Sequence, residues 1–260
     1  MSQSSDPSWV LDPDDPRAPP QEIWDRMSPE QRSRLLDELP SEFEPSEASP
    51  PEGDYHAEPV YGSREVLRGH FRRMRRRIYI GTDLPTYYPG ERVFAPDVLA
   101  VLDVEDHPRN YWMVSEEGKG LDFVMEVHWR GRPRKDFETN VARYASLGIR
   151  EYFVFDVRRL RIRAMRLADE APRAYRPVMP QGGLYASEVL GLQLGIDGGK
   201  LRYYLDTAPL PYAEELIERL NAVSDELAAR AEQEAARAEQ AEARLQEALA
   251  EIERLKRRDR

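Results

Sequence analysis

No cysteine occurs in the 260-residue chain, so neither a disulfide framework nor a thiolate metal site is available. That absence suits a reducing compartment, and the expectation is a soluble cytoplasmic protein. No apolar run approaches the roughly 20 residues that a bilayer-spanning helix requires, so no membrane partner is expected. The start, Met1-Ser2-Gln3-Ser4-Ser5-Asp6, lacks a basic stretch followed by an apolar core, which does not read as a secretory signal. β-Branched residues are scarce in 1–59, and proline and glycine vanish from 213–260. These scarcities divide the chain into three parts.

The net charge of −10 looks hostile to nucleic acid, but it is unevenly spread. Residues 1–59 hold 15 acidic and 4 basic residues, and 213–260 hold 13 acidic and 9 basic residues. The middle, 60–212, has 20 acidic and 25 basic residues and is mildly basic. Whole-chain charge is therefore a poor guide to partners.

With 11 of the 21 prolines, 1–59 reads as an acidic, extended and mostly unpacked arm interrupted by one short helix. Ser28 is its expected N-cap, Pro29 its first residue and Gln31 the capping-box partner, and Pro40 stops it after Leu35, Leu36 and Leu39. Whether that helix docks on the folded domain is open. The domain itself is expected over 60–211. Ser63 is expected to cap a helix in which Leu67, Phe71, Met74 and Ile78 form one apolar face. Arg68, Arg72, Arg73, Arg75, Arg76 and Arg77 cover its other faces, either as a solvated surface or as phosphate contacts. Strands are expected near 92–94, 97–103, 111–115 and 121–128. The pattern of 136–147 predicts a helix with Asp136 as N-cap, with Phe137, Val141 and Tyr144 inward and with Gly148 as a left-handed cap. Tyr152 to Asp156 follows as a buried strand, so strand, helix and strand form a right-handed parallel crossover. Leu160, Ile162, Ala164 and Met165 alternate with arginines as in a half-exposed edge hairpin. The fold class is α/β, a sandwich with a mixed sheet.

Residues 212–260 read as one long helix of roughly 70 Å at about 1.5 Å per residue. Leu216, Leu220, Val223 and Leu227 give one apolar stripe, and Ala231, Ala235, Ala238, Leu245, Leu249 and Ile252 another. A lone helix of this kind is weakly stable, so a coiled-coil homo-oligomer is the favoured reading and a solvated single helix the alternative.

Two carboxylates sit inside apolar strand runs: Asp97 before Val98 to Leu102, and Glu126 within Leu121 to Val127. Burying such charges is costly unless a positive partner meets them, and a divalent cation is the simplest partner for two of them. A basic segment, Arg130 to Lys135, comes next. Phosphodiester hydrolysis needs a metal for the phosphate and the water, and a cation for the developing charge. Alternation along the strand places His128 on the face of Glu126, but an imidazole does not replace an ammonium. Lys135, at the mouth of the next helix, is the nearest lysine. Each residue also has a plainer reading: Asp97 a turn residue, Glu126 a partner for an arginine of 130–134, His128 a sheet histidine, Lys135 an exposed charge. Glu65 is a further acidic candidate that no spacing demands.

Pro96-Asp97, Asp122 to Val127, and the run from Tyr144-Ala145-Ser146-Leu147-Gly148 to Phe155-Asp156 resemble the Uma-two family of the PD-(D/E)XK nuclease superfamily. The resemblance covers roughly 60–205. It implies a restriction-endonuclease-like core, dependence on Mg²⁺ (with Mn²⁺ as substitute), a DNA substrate, and Asp97 and Glu126 as the first and second acids. Relatives tend to continue the second strand with Ser-Pro-Ser, where this chain has His128-Trp129-Arg130. They also tend to carry a lysine in the following helix, at the position of Asn140. The expected function is a metal-dependent DNA endonuclease with Asp97, Glu126, Lys135 and His128 in the site. The alternative is an inactive nuclease fold that binds DNA or serves as a protein scaffold.

Overall fold

A computed structural model of the chain describes residues 9–39, 53–129, 135–168 and 171–258. In chain order its elements are α1 (Gln21–Arg26), α2 (Pro29–Glu38), α3 (Asp54–Arg73), β1 (Ile78–Gly81), β2 (Thr86–Tyr87), β3 (Val98–Leu102), β4 (Trp112–Met113), α4 (Val114–Glu117) and β5 (Phe123–His128). A π-helical turn (Lys135–Thr139) opens into α5 (Asn140–Ser146), followed by β6 (Glu151–Asp156), β7 (Arg161–Ala168) and β8 (Ala171–Pro177). Then come β9 (Tyr185–Ser187), β10 (Leu192–Asp197), β11 (Lys200–Leu205), β12 (Ala208–Pro209) and α6 (Ala213–Arg258). The chain divides into two compact units, 1–210 and 211–260.

The first unit is built on a six-stranded mixed sheet in the order β1-β3-β5-β6-β7-β8. β5 and β6 are parallel and the other pairs antiparallel, so α5 is the crossover that joins them. Every residue of β3, β5 and β6 is buried, as expected for strands covered on both faces. Leu99, Val101, Val124, Tyr152 and Val154 share one core cluster with Tyr144 of α5 and Trp112 of β4. Phe137 and Val141 pack against it, half-buried, as their spacing predicts. Gly148 ends this segment at φ +77°, the left-handed position that glycine takes without a Cβ clash. The β7–β8 hairpin forms one edge, with β8 outermost. A second, four-stranded sheet, β12-β11-β10-β9, has no counterpart among the sequence expectations.

Three local expectations change. The helix expected from Ser63 begins at Asp54 and ends at Arg73. Pro59 sits in its second turn, where it removes one donor without ending the helix, and the Ser63 hydroxyl donates to the Pro59 carbonyl. Met74 is the C-cap, exposed, and Ile78 opens β1 instead of continuing the apolar face. Asp136 lies inside the π-helical turn, so its backbone is not the expected N-cap.

The described part of the N-terminal segment is packed, where an extended arm was expected. Trp24 is 2% exposed and Leu35 4%, in a cluster with Tyr87, Val93 and Met113. The cause is a small number of large apolar side chains, which outweigh the extended bias of the prolines. The capping box is present as expected: Gln31 N–H donates to the Ser28 hydroxyl and Ser28 N–H to Gln31 Oε1.

The second unit holds a single 46-residue helix, α6. Leu220, Val223, Leu227, Leu245 and Leu249 are exposed along it. Among the described residues no helix is long and apolar enough to cross a membrane.

Candidate active site

The β3–β5 register fixes the carboxylates. Val98 pairs with Met125 in an antiparallel ladder, so the next step back places Asp97 opposite Glu126. Alternation puts Asp97 with Leu99 and Val101, and Glu126 with Val124, on the face of the sheet that α5 covers. The two acids brought together by motif order are thus neighbours across one strand pair.

Each acid is held by protein donors. Val127 N–H donates to Asp97 Oδ2 at 2.5 Å, and His56 Nε2 lies 3.2 Å from the same oxygen. The Tyr144 hydroxyl donates to Glu126 Oε1 at 2.6 Å, and Asn140 Nδ2 donates to it at 3.4 Å. Glu126 is 4% exposed. Burial first, and then the adjacent Glu126 charge and hydrogen bond, raise the Tyr144 hydroxyl well above its ordinary value, so it stays a donor.

His128 ends β5 two residues after Glu126. It is buried and meets the Phe137 ring edge-on, with centroids 5.5 Å apart. Opposite it in the parallel ladder is Asp156. Burial works against the charge of Asp156, but hydrogen bonds from Arg159 outweigh it and leave the carboxyl below its ordinary value. Lys135 opens the π-helical turn, but its side chain lies outside the described residues, as do Arg130, Arg132 and Arg134. Glu65 is exposed on α3, nine residues beyond His56, and the structure does not bring it to the pair.

Three residues at this site were absent from the sequence expectations or had another role in them. His56 was placed in the arm; α3 carries it to Asp97, and Tyr55 beside it stacks on Trp129 with ring centroids 4.3 Å apart. Nothing in the local pattern of Asp54-Tyr55-His56 marks this histidine. Tyr144 was expected as a core residue, which it is, but its hydroxyl also serves the site. Asn140 was marked as the place of a missing lysine, and its contact with Glu126 is new.

Other buried acids have local partners and lie apart in role. Asp122 accepts from Leu102 N–H at 2.8 Å and pairs with Lys119 at 3.2 Å. Glu151 pairs with Arg166 at 2.8 Å and accepts from the Ser187 hydroxyl. Both brace strands.

The profile of the Uma2 family, whose description is "Putative restriction endonuclease", matches residues 44–198, more than half of the chain. The chain belongs to this family. One solved structure similar to this Uma2 member is that of a putative nuclease belonging to DUF820 from Anabaena variabilis ATCC 29413. The two are 13% identical, with 60% of this chain and 89% of that one covered at a TM-score of 0.45. No curated protein matches.

Among the described residues of this Uma2 chain, no group of three or more His, Asp or Glu side chains is gathered as a metal site. The carboxylate pair nevertheless fits Mg²⁺, which takes one or two carboxylates and completes its shell with water and substrate phosphate. Protein donors reach Asp97 Oδ2 and Glu126 Oε1 and orient both carboxylates.

Proposed function

We propose that the chain is a Mg²⁺-dependent endonuclease that hydrolyses phosphodiester bonds of DNA, with Asp97 and Glu126 holding the metal. Mn²⁺ is the expected substitute. The supporting observation is the placement of two carboxylates opposite one another, Asp97 just before β3 and Glu126 in β5, each oriented by donors from the protein. Membership of a family whose description is "Putative restriction endonuclease" supports the choice of DNA as substrate.

The metal, when bound, supplies polarisation of the phosphate and activation of water. The chain's own part is orientation. Val127 N–H and His56 hold Asp97, while Tyr144 and Asn140 hold Glu126. His128 offers an imidazole on the same face for positioning water, and Lys135 is assigned the charge developing on the phosphate.

Linear and supercoiled DNA incubated with Mg²⁺ tests this directly. Cleavage by the wild type, lost in Asp97→Asn and in Glu126→Gln, supports the reading. Absence of cleavage on every DNA form contradicts it, and cleavage surviving both substitutions contradicts the residue assignment.

One observation favours a second reading, a catalytically silent nuclease fold that binds DNA or scaffolds other proteins. Asn140, a neutral amide 3.4 Å from Glu126 Oε1, stands where the family resemblance implies a lysine. The same assay decides between the two.

Self-association through 212–260 belongs to either reading. Its support is the exposed apolar stripe of α6 and the weak intrinsic stability of a long isolated helix. Sedimentation at micromolar concentration is expected to give at least a dimer, and a monomer throughout contradicts it.

A further inference from the structure

Far from the carboxylates, the C-terminal end of α3 and the turn into β1 build an arginine-walled feature. Arg68, Arg72, Arg75, Arg76 and Arg77 line one open pocket of about 470 Å³. Two of the five are committed to the protein. Arg68 grips both carboxylate oxygens of Asp106, at 2.9 and 2.8 Å. Arg76 donates to the carbonyls of Val189 and Leu190 and lies over the Phe71 ring. Among the described residues, no carboxylate pairs with Arg72, Arg75 or Arg77. Glu105 and Asp106 are the acids on the wall, and Asp106 is already taken by Arg68. Positive charge is in excess.

The turn presents these side chains at some backbone cost. Arg75 sits at φ +53°, a left-handed conformation that glycine adopts far more readily. Hydrogen bonds from Arg75 N–H to the Arg72 carbonyl and from Arg76 N–H to the Phe71 carbonyl close the turn around it. Guanidinium groups match phosphate oxygens in charge and in forked geometry. An open mouth suits a run of phosphates passing over it better than a small enclosed anion.

The sheet sets the distance to the candidate site. Arg77 O accepts from Asp103 N–H at 2.9 Å, so the turn is level with the far end of β3, whereas Asp97 precedes its near end. The intervening residues at about 3.3 Å each separate them by roughly 20 Å. That is on the order of six nucleotides of one strand.

We propose that Arg72, Arg75 and Arg77 form a clamp for nucleic-acid backbone phosphates, about six nucleotides from the bond at Asp97 and Glu126. The spacing rests on the nuclease reading, and the clamp itself does not. Fluorescence anisotropy with a labelled 30-base-pair duplex in EDTA measures binding without cleavage. The variant is the triple Arg72→Gln/Arg75→Gln/Arg77→Gln, compared with the wild type, and its fold is checked by circular dichroism. The triple variant is expected to bind at least tenfold more weakly near 100 mM salt. Its log affinity against log salt slope is expected to flatten by about two to three, at roughly 0.9 for each phosphate that is no longer neutralised. A folded triple variant with unchanged affinity and slope overturns the clamp, as does a wild type that binds no duplex. Wild-type binding that the triple variant weakens, without cleavage in Mg²⁺, supports the clamp and counts against the nuclease reading alone.

Discussion

Asn140 Nδ2 lies 3.4 Å from Glu126 Oε1, the same carboxylate oxygen that the Tyr144 hydroxyl reaches at 2.6 Å. The first is a long contact and the second a short, charge-assisted one. Tyr144 is therefore the stronger of the two holds on Glu126, and Asn140 adds a weaker contact from a neutral group. Replacing Asn140 by lysine places a cation beside a buried carboxylate that can pair with it. Asn140→Lys is expected to raise the single-turnover cleavage rate in saturating Mg²⁺ by at least tenfold. An unchanged or lower rate would show that a cation at position 140 adds nothing to the charge assigned to Lys135.

Tyr144→Phe keeps the ring in its buried place and removes only the donor. Loss of a hydrogen bond to a charged group costs about 1.5–3 kcal/mol. Urea denaturation is expected to report a destabilisation in that range with an unchanged m-value. Wild-type stability in this variant would mean that Glu126 is held by other partners.

His56 acts on the site through Asp97, as a positioning residue. His56→Ala removes the contact at 3.2 Å, while His56→Gln can return a donor near the Nε2 position. Mg²⁺ affinity measured without DNA is expected to fall about tenfold in the alanine variant and to recover partly in the glutamine variant. Equal affinity in all three proteins would confine His56 to packing.

His70 gives the folded domain a pH dependence. Burial, and then the charges of Arg73 and Arg76, hold it below its ordinary value of 6.5. The unfolded chain thus takes up a proton that the folded chain resists. Stability from this group is complete above about pH 6.5 and declines as pH falls toward the lower folded value. Denaturation midpoints between pH 7.5 and 5.5 should decline, and His70→Gln should flatten the decline. An identical slope in the variant assigns it to other groups.

Local chemistry made much of this architecture legible. Ser28 and Gln31 announce their capping box, Gly148 its left-handed cap, and the run from Glu126 to Asp156 its parallel crossover, because each depends on neighbours in sequence. What escaped depends on distant contacts or on missing punctuation. Arg75 takes a left-handed conformation without being glycine, so the break between α3 and β1 left no signal and Ile78 read as helix. Pro59 read as the end of an arm although it lies within α3. In β10, Leu192, Leu194 and Ile196 alternate with Gln193, Gly195 and Asp197, a strand signal that the sequence expectations do not include. The acids of the site were visible as carboxylates in apolar runs. Their donors were not, since His56 lies in an element that precedes the strand pair and Tyr144 on the crossover helix that follows it.

The central claim is that Asp97 and Glu126 together form a divalent-metal site, and calorimetric titration with Mg²⁺ tests it without recourse to any substrate. The account predicts saturable binding of one ion per chain in the wild type, abolished in Asp97→Asn and in Glu126→Gln. No heat of binding in the wild type, or binding of equal affinity in both variants, would contradict it.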